Sequence, residues 1–154
     1  MTEQWLIDGY NLLYALQQTP EKSLPREELL SRVAEFASFK KTRILLVLDG
    51  TGDEGELDGW RTDCFEAVFS KKMPADTYIE QYLFEHRQSR QISVVTNDRA
   101  IANLARGGGA RVLSTGVFWD LLTDCKKESS EILRIKKTRE HGFNRPFDEK
   151  LKDL

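Results

Sequence analysis

The chain has 154 residues, 40% hydrophobic and 31% charged, and its 23 Lys and Arg against 25 Asp and Glu leave a formal charge of −2. That length supports one core without disulfides or a structural metal, and no apolar run approaches the roughly 18 residues of a membrane helix, which excludes two independent domains, wholesale disorder and a membrane span. The near-neutral charge also excludes holding nucleic acid by bulk electrostatics, so any such binding has to be local. Met1 to Trp5 has no basic leader and enters a strand-like run at once, which leads to the expectation of a cytoplasmic protein. Cys64 and Cys125 form no C-x-x-C pair and read as two core thiols.

The first apolar run, Gln4 to Ile7, reads as a strand that stops at Asp8. Pro25 and Arg26-Glu27-Glu28 then open a helix whose apolar positions Leu29, Leu30, Val33, Phe36 and Ala37 share one face and which should end near Lys40-Lys41. Arg43 to Leu48, ending at Asp49, and Cys64 to Phe69, ending at Ser70, are the next two strands. Pro74-Ala75-Asp76 begins a helix with Ile79, Tyr82 and Leu83 inward. A fourth strand, Gln91 to Val95, leads through Thr96 to Asp98 and a helix carrying Ile101, Leu104 and Ala105, stopped by Gly107-Gly108-Gly109. The fifth strand is Arg111 to Leu113, and a last helix starts at Thr115 or Gly116 with Val117, Phe118, Leu121 and Leu122. The alternation predicts an α/β fold: a three-layer α/β/α sandwich around a five-stranded, mainly parallel sheet with right-handed crossovers.

Residues 126–154 differ in character, with nine Lys and Arg against six Asp and Glu, a net of +3 that leaves −5 on residues 1–125. They read as a basic helical and then loose extension of the domain formed by residues 1–125, either a solvated helix or an arm along a phosphate backbone. Gly50-Thr51-Gly52-Asp53-Glu54-Gly55 matches G-x-G-x-x-G after a strand, yet Asp49, Asp53, Glu54, Glu56 and Asp58 crowd it. The eight residues Glu56 to Asp63 leave no room for the crossover helix that a dinucleotide site needs. A flexible loop, with no nucleotide cofactor, is the better reading.

Four aspartates fall at comparable places: Asp8, Asp49 and Asp98 after strands, and Asp76 at a helix start. Each alone is an ordinary cap or turn former. In a sheet of order 3-2-1-4-5, however, strand 1 lies at the switch point, so Asp8, Asp49 and Asp98 meet in one crevice that Asp76 can reach. Two carboxylates about 5 Å apart repel by roughly 3 kcal/mol at an effective dielectric of about 20, so the cluster calls for a cation. Oxygen-only ligands point to Mg²⁺ or Mn²⁺ and to phosphoryl-bond hydrolysis. His86, late in a helix, and His141, in the tail, stand outside this scheme.

Asp8-Gly9-Tyr10-Asn11 resembles the D-G-Y-N signature of the NYN domains, a branch of the PIN-like nucleases, and particularly of the YacP-like group. Val47-Leu48-Asp49-Gly50, Val68-Phe69-Ser70-Lys71 with Ala75-Asp76 and Tyr78-Ile79-Glu80, and Val94-Val95-Thr96-Asn97-Asp98 resemble further blocks of that group in order, over about residues 4–122. The resemblance implies a metal-dependent endoribonuclease in which Asp8, Asp76 and Asp98 hold Mg²⁺ or Mn²⁺, Asn11 orients the first carboxylate, and Thr96 and Asn97 support the loop after strand 4. Asp49 would either ligate or tune the site. Asn97 stands where the group has Ser, and Lys72-Met73-Pro74 where many relatives have Gly-Glu-Thr. RNA, such as mRNA or ribosome-associated RNA, would be met by Lys71, Lys72, Arg99 and Arg106 and by Lys126, Lys127, Lys136 and Lys137. Trp60 with Arg61 would either stack a base or anchor the loop. The competing reading is an RNA- or ribosome-binding module that keeps the fold and cleaves poorly.

Overall fold

The structure is a computed structural model and describes residues 3–52, 54–86 and 91–143. Its centre is a five-stranded sheet in which every pair is parallel, in the order β3-β2-β1-β4-β5, with β1 Gln4–Asp8, β2 Arg43–Leu48, β3 Phe65–Phe69, β4 Ile92–Val95 and β5 Arg111–Leu113. Side-chain alternation splits the apolar residues between two faces. Trp5, Ile7, Ile44, Leu46 and Leu48 join one core, and Leu6, Leu45, Val47, Ile92 and Val94 the other.

The first face is covered by α1 (Gly9–Gln17), α2 (Arg26–Lys40) and α5 (Thr115–Phe143), whose Leu12, Val33, Phe36, Phe118 and Leu122 pack on the strands. Trp5, Phe36 and Phe118 meet with ring centroids 5.4 to 5.7 Å apart, joining β1, α2 and α5. The second face is covered by α3 (Ala75–His86) and α4 (Arg99–Gly107) through Ile79, Leu83, Ile101 and Ala105. The three-layer sandwich is therefore as expected, and each anticipated strand lies within a residue of its place.

Two elements differ from the sequence reading. That reading names no element between Asp8 and Pro25, and the structure forms α1 there, with Asp8 as its cap and Leu12, Leu13 and Leu16 buried. The segment after Asp49 is not wholly irregular: Glu54–Trp60 winds into 3₁₀ turns before β3. Trp60 packs on the larger core as a loop anchor. Of the two cysteines, both free thiols, Cys125 is buried while Cys64 is partly open.

α5 runs unbroken from Thr115 through the basic stretch to Phe143, so residues 126–143 continue the helix that covers the sheet. From Thr115, a rise of about 1.5 Å per residue puts Lys126 roughly 16 Å and Lys137 roughly 33 Å along the axis. Lys40, just before β2, pairs with Glu128 at 3.8 Å, so α5 is level there with the starting edge of the sheet. Residues 129–143 extend past it. The expected loose segment beyond residue 143 lies outside the described residues.

Candidate functional site

All four aspartates stand at the carboxyl end of the sheet, where β1 lies between β2 and β4. Asp8 ends β1 and caps α1, its Oδ1 accepting the Asn11 N–H at 3.3 Å. Gly9 is needed beside it, since a Cβ there would lie 2.7 Å from both Leu46 Cδ2 and Leu48 Cδ2. The absence of a side chain lets α1 turn back directly over β2 and keeps Asn11 near the strand ends. Asp98 caps α4 and accepts the N–H groups of Ala100 at 2.8 Å and Ile101 at 3.1 Å. Buried Thr96 orients it, Oγ1 accepting the Asp98 N–H at 3.0 Å.

Asp49 has a role that depends on a distant residue. Its Oδ1 accepts the Ala75 N–H at 2.9 Å, so the carboxylate after β2 holds the start of α3 and with it Asp76. Asp76 is exposed in the first turn of α3 and accepts the Thr77 N–H at 2.8 Å. Burial pushes the Asp8 carboxyl above the usual carboxylate range. The Asn11 N–H opposes this shift, and the charges of Asp49, Asp76 and Asp98 add to it. The other three aspartates thus act electrostatically on Asp8, as the strand order requires.

This surplus of negative charge, with oxygen the only donor type, fits a hard divalent cation. Among the described residues, no three acidic, His or Cys side chains converge closely enough to enclose an ion. Three of the aspartates are instead turned toward helix starts: Asp8 toward α1, Asp98 toward α4 and Asp49 toward α3. A cation held here would take few protein oxygens and complete its shell with water or phosphate, as Mg²⁺ does. His86 is apart from the site, its ring stacked on Tyr82 at 3.9 Å.

Asn11 and Asn97 form a brace beneath the acids. Asn11 Oδ1 accepts the Asn97 N–H at 2.8 Å. The Asn97 amide grips Thr115 twice, Nδ2 donating to Oγ1 at 2.7 Å and Oδ1 accepting the Thr115 N–H at 3.0 Å. Sequence reasoning reached Asn97 but missed Thr115, which is buried and offered no cue beyond its place at a helix start. It also missed Ser70, whose Oγ accepts the Gly50 N–H at 3.0 Å and ties the end of β3 to the loop after Asp49.

The anticipated basic contacts divide by position. Lys71 and Lys72 are exposed between Asp49 and Asp76, and Arg99 follows Asp98 directly. Arg106 lies about 10 Å further down α4, toward the starting edge of the sheet. Lys126, Lys127, Lys136 and Lys137 are exposed on the far part of α5, at the end of the molecule opposite the aspartates. Arg61 pairs with Glu66.

Among known proteins, the model of the YacP-like NYN domain matches residues 5–153. A crystal structure of Rae1 (YacP) from Bacillus subtilis superposes with a TM-score of 0.73 at 22% identity, over 97% of this chain and 90% of that one. Its W164L mutant gives 0.69 at 23% identity, over 87% and 82%. These two show the same fold. A comparison with curated proteins finds no match. Because the family model runs from β1 through every aspartate-bearing loop and along α5, this chain belongs to the YacP-like NYN domain family, a branch of the PIN-like nucleases.

Proposed function

We propose that the protein is a cytoplasmic endoribonuclease dependent on Mg²⁺ or Mn²⁺, and that Asp8, Asp76 and Asp98 hold the ion in part through the waters of its shell. The observation that carries this reading is the half-buried Asp8 carboxyl, raised above its usual range with three further aspartates acting on it at the switch point of the sheet. A divalent cation bound there supplies acidity to water and positive charge to the phosphate. The chain's own groups do the rest. Asp8 and Asp98 present carboxylate oxygens while their caps fix the side chains, Thr96 and Asn97 hold the β4 loop, and Asn11 sets the distance between the β1 and β4 ends. Asp49 positions Asp76 through the start of α3. Lys71, Lys72 and Arg99 flank the acids and meet the phosphates of the strand, and cleavage leaves a 5′-phosphate and a 3′-hydroxyl.

The second reading, an RNA- or ribosome-binding module with weak cleavage, is favoured by one observation: the cationic part of α5 lies at the far end from the aspartates. Structured and unstructured RNA incubated with the protein in Mn²⁺ and in EDTA, beside Asp8→Asn, separates the two. The nuclease reading expects cleavage in Mn²⁺ alone and none by the variant. Tight binding without cleavage supports the module, and cleavage persisting in EDTA or in Asp8→Asn refutes the site.

A further inference from the structure

We propose that the chain pairs with a second copy of itself, the projecting part of α5 of each copy lying in a groove between α3 and α4 of the other. On the body, α5 buries Phe118, Leu122 and Cys125 along one stripe. At helical spacing that stripe continues in Ile132 and Ile135, which are 53% and 48% exposed. Every residue from 131 to 138 is exposed, so none of the described residues covers this segment. Lys126, Arg134 and Lys137 point away from the stripe, and phosphate held by them would leave Ile132 and Ile135 in water. The stripe calls for an apolar seat with acid near it, because Lys136 stands one turn from Ile132 on the same side.

The groove has that character. Of about 630 Å³, it runs between the later turns of α3 and α4, with Leu83, Phe84 and Leu104 as its apolar lining and Glu80 and Glu85 beside them. Phe84 is 68% exposed and Leu104 47%. Both helices run back from the carboxyl end of the sheet, so their last turns, at His86 and Gly107, lie at the starting edge, where their carbonyl ends add negative charge. A chain cannot fill its own groove, since α5 covers one face of the sheet and α3 and α4 the other. A second copy can. A two-fold axis in the plane of the sheet, perpendicular to the strands, sets starting edge against starting edge and exchanges the two helical layers. The projecting α5 of one copy then continues directly into the α3 and α4 layer of its partner, antiparallel to both helices, and the reverse contact forms by symmetry. Two seats made at once double the buried area, toward the roughly 1,200 Å² that a stable pair of chains needs. The aspartates stay open at the two far ends.

Sedimentation velocity on the protein without RNA tests the pairing, independently of any cutting. At about 100 μM the parent should sediment with twice the monomer mass and dissociate on dilution. Leu104→Glu in the groove and Ile132→Glu on α5, both at exposed positions, should each raise the dissociation constant at least about tenfold. Phe84→Ser reads the same groove if Leu104→Glu does not fold. Lys136→Glu should weaken the pair by about threefold or more, and Glu80→Lys with Glu85→Lys in the same chain should restore it. A parent that stays monomeric at that concentration overturns the proposal. So does a dimer that the folded groove variants leave intact while Ile132→Glu breaks it, because the two α5 helices would then be pairing with each other.

Discussion

Asp8 carries opposite consequences for stability and for activity. Its carboxyl is raised by burial and by three neighbouring acids, so as pH climbs out of the ordinary carboxylate range the unfolded chain releases this proton before the folded one does. Metal-free stability therefore falls across the interval up to the raised value and stays lower above it. Asp8→Asn removes that charge and can still accept the Asn11 N–H, so the metal-free variant should melt higher than the parent at neutral pH. In acid below the ordinary range the difference should vanish, and thermal melts across pH check both. Adding Mn²⁺ should raise the melting temperature of the parent and not of the variant, whose RNA cleavage should fall at least about a hundredfold in initial rate. Asp49 allows a sharper discrimination. As a cap for α3, Asp49→Ala should cost about 1 kcal/mol in urea unfolding, while Asp49→Asn keeps an acceptor for Ala75 and should cost much less. Cleavage by Asp49→Asn that stays well above that of Asp49→Ala identifies a positioning residue; equal loss in both identifies a charge required at the metal.

The helices that carry the site are held by contacts between chain segments far apart in sequence. α1 can begin directly at Asp8 because Gly9 fits against Leu46 and Leu48, and Gly9→Ala should destabilise the protein by about 1–3 kcal/mol through overpacking. Because Asn11 lies one turn further along α1, the same substitution should also reduce cleavage, which a comparison of rates with denaturant midpoints would detect. The periodicity of α2, α3 and α4 was legible because Leu29, Val33 and Phe36, or Ile79 and Leu83, repeat within a single segment. The same spacing occurs in α1 at Leu12, Leu13 and Leu16, in a run of only nine residues. The bonds from Asp49 to Ala75 and from Asn97 to Thr115 could not be read in the same way. They span 26 and 18 residues and exist only because the strand order brings those loop ends together.

The charge distribution gives the protein two ends. The aspartates gather at the carboxyl edge of the sheet, and the cationic part of α5 projects beyond the opposite edge. Lys126, Ser130, Arg134 and Lys137 fall along one helical face, with Lys127 beside it, and Glu128 is turned to Lys40 on the body. Replacing Lys126, Arg134 and Lys137 with Glu should weaken binding of a long folded RNA and flatten its salt dependence, each lost phosphate contact lowering the slope by about 0.7–0.9. An unchanged slope would show that α5 does not meet phosphate. The net −2 is thus the sum of an acidic body and a basic arm, and local attraction can operate within it. Local patterns in the chain were enough to set the strands, most of the helices, their alternation and the aspartates at their ends, because period and capping act over a few residues. Folding in space determined that Asp49 holds α3, that Asn97 clasps the start of α5, and that the lysines of α5 lie opposite the acids. Those relations depend on which crossovers bring distant segments side by side and on a helix continuing straight past the sheet it covers.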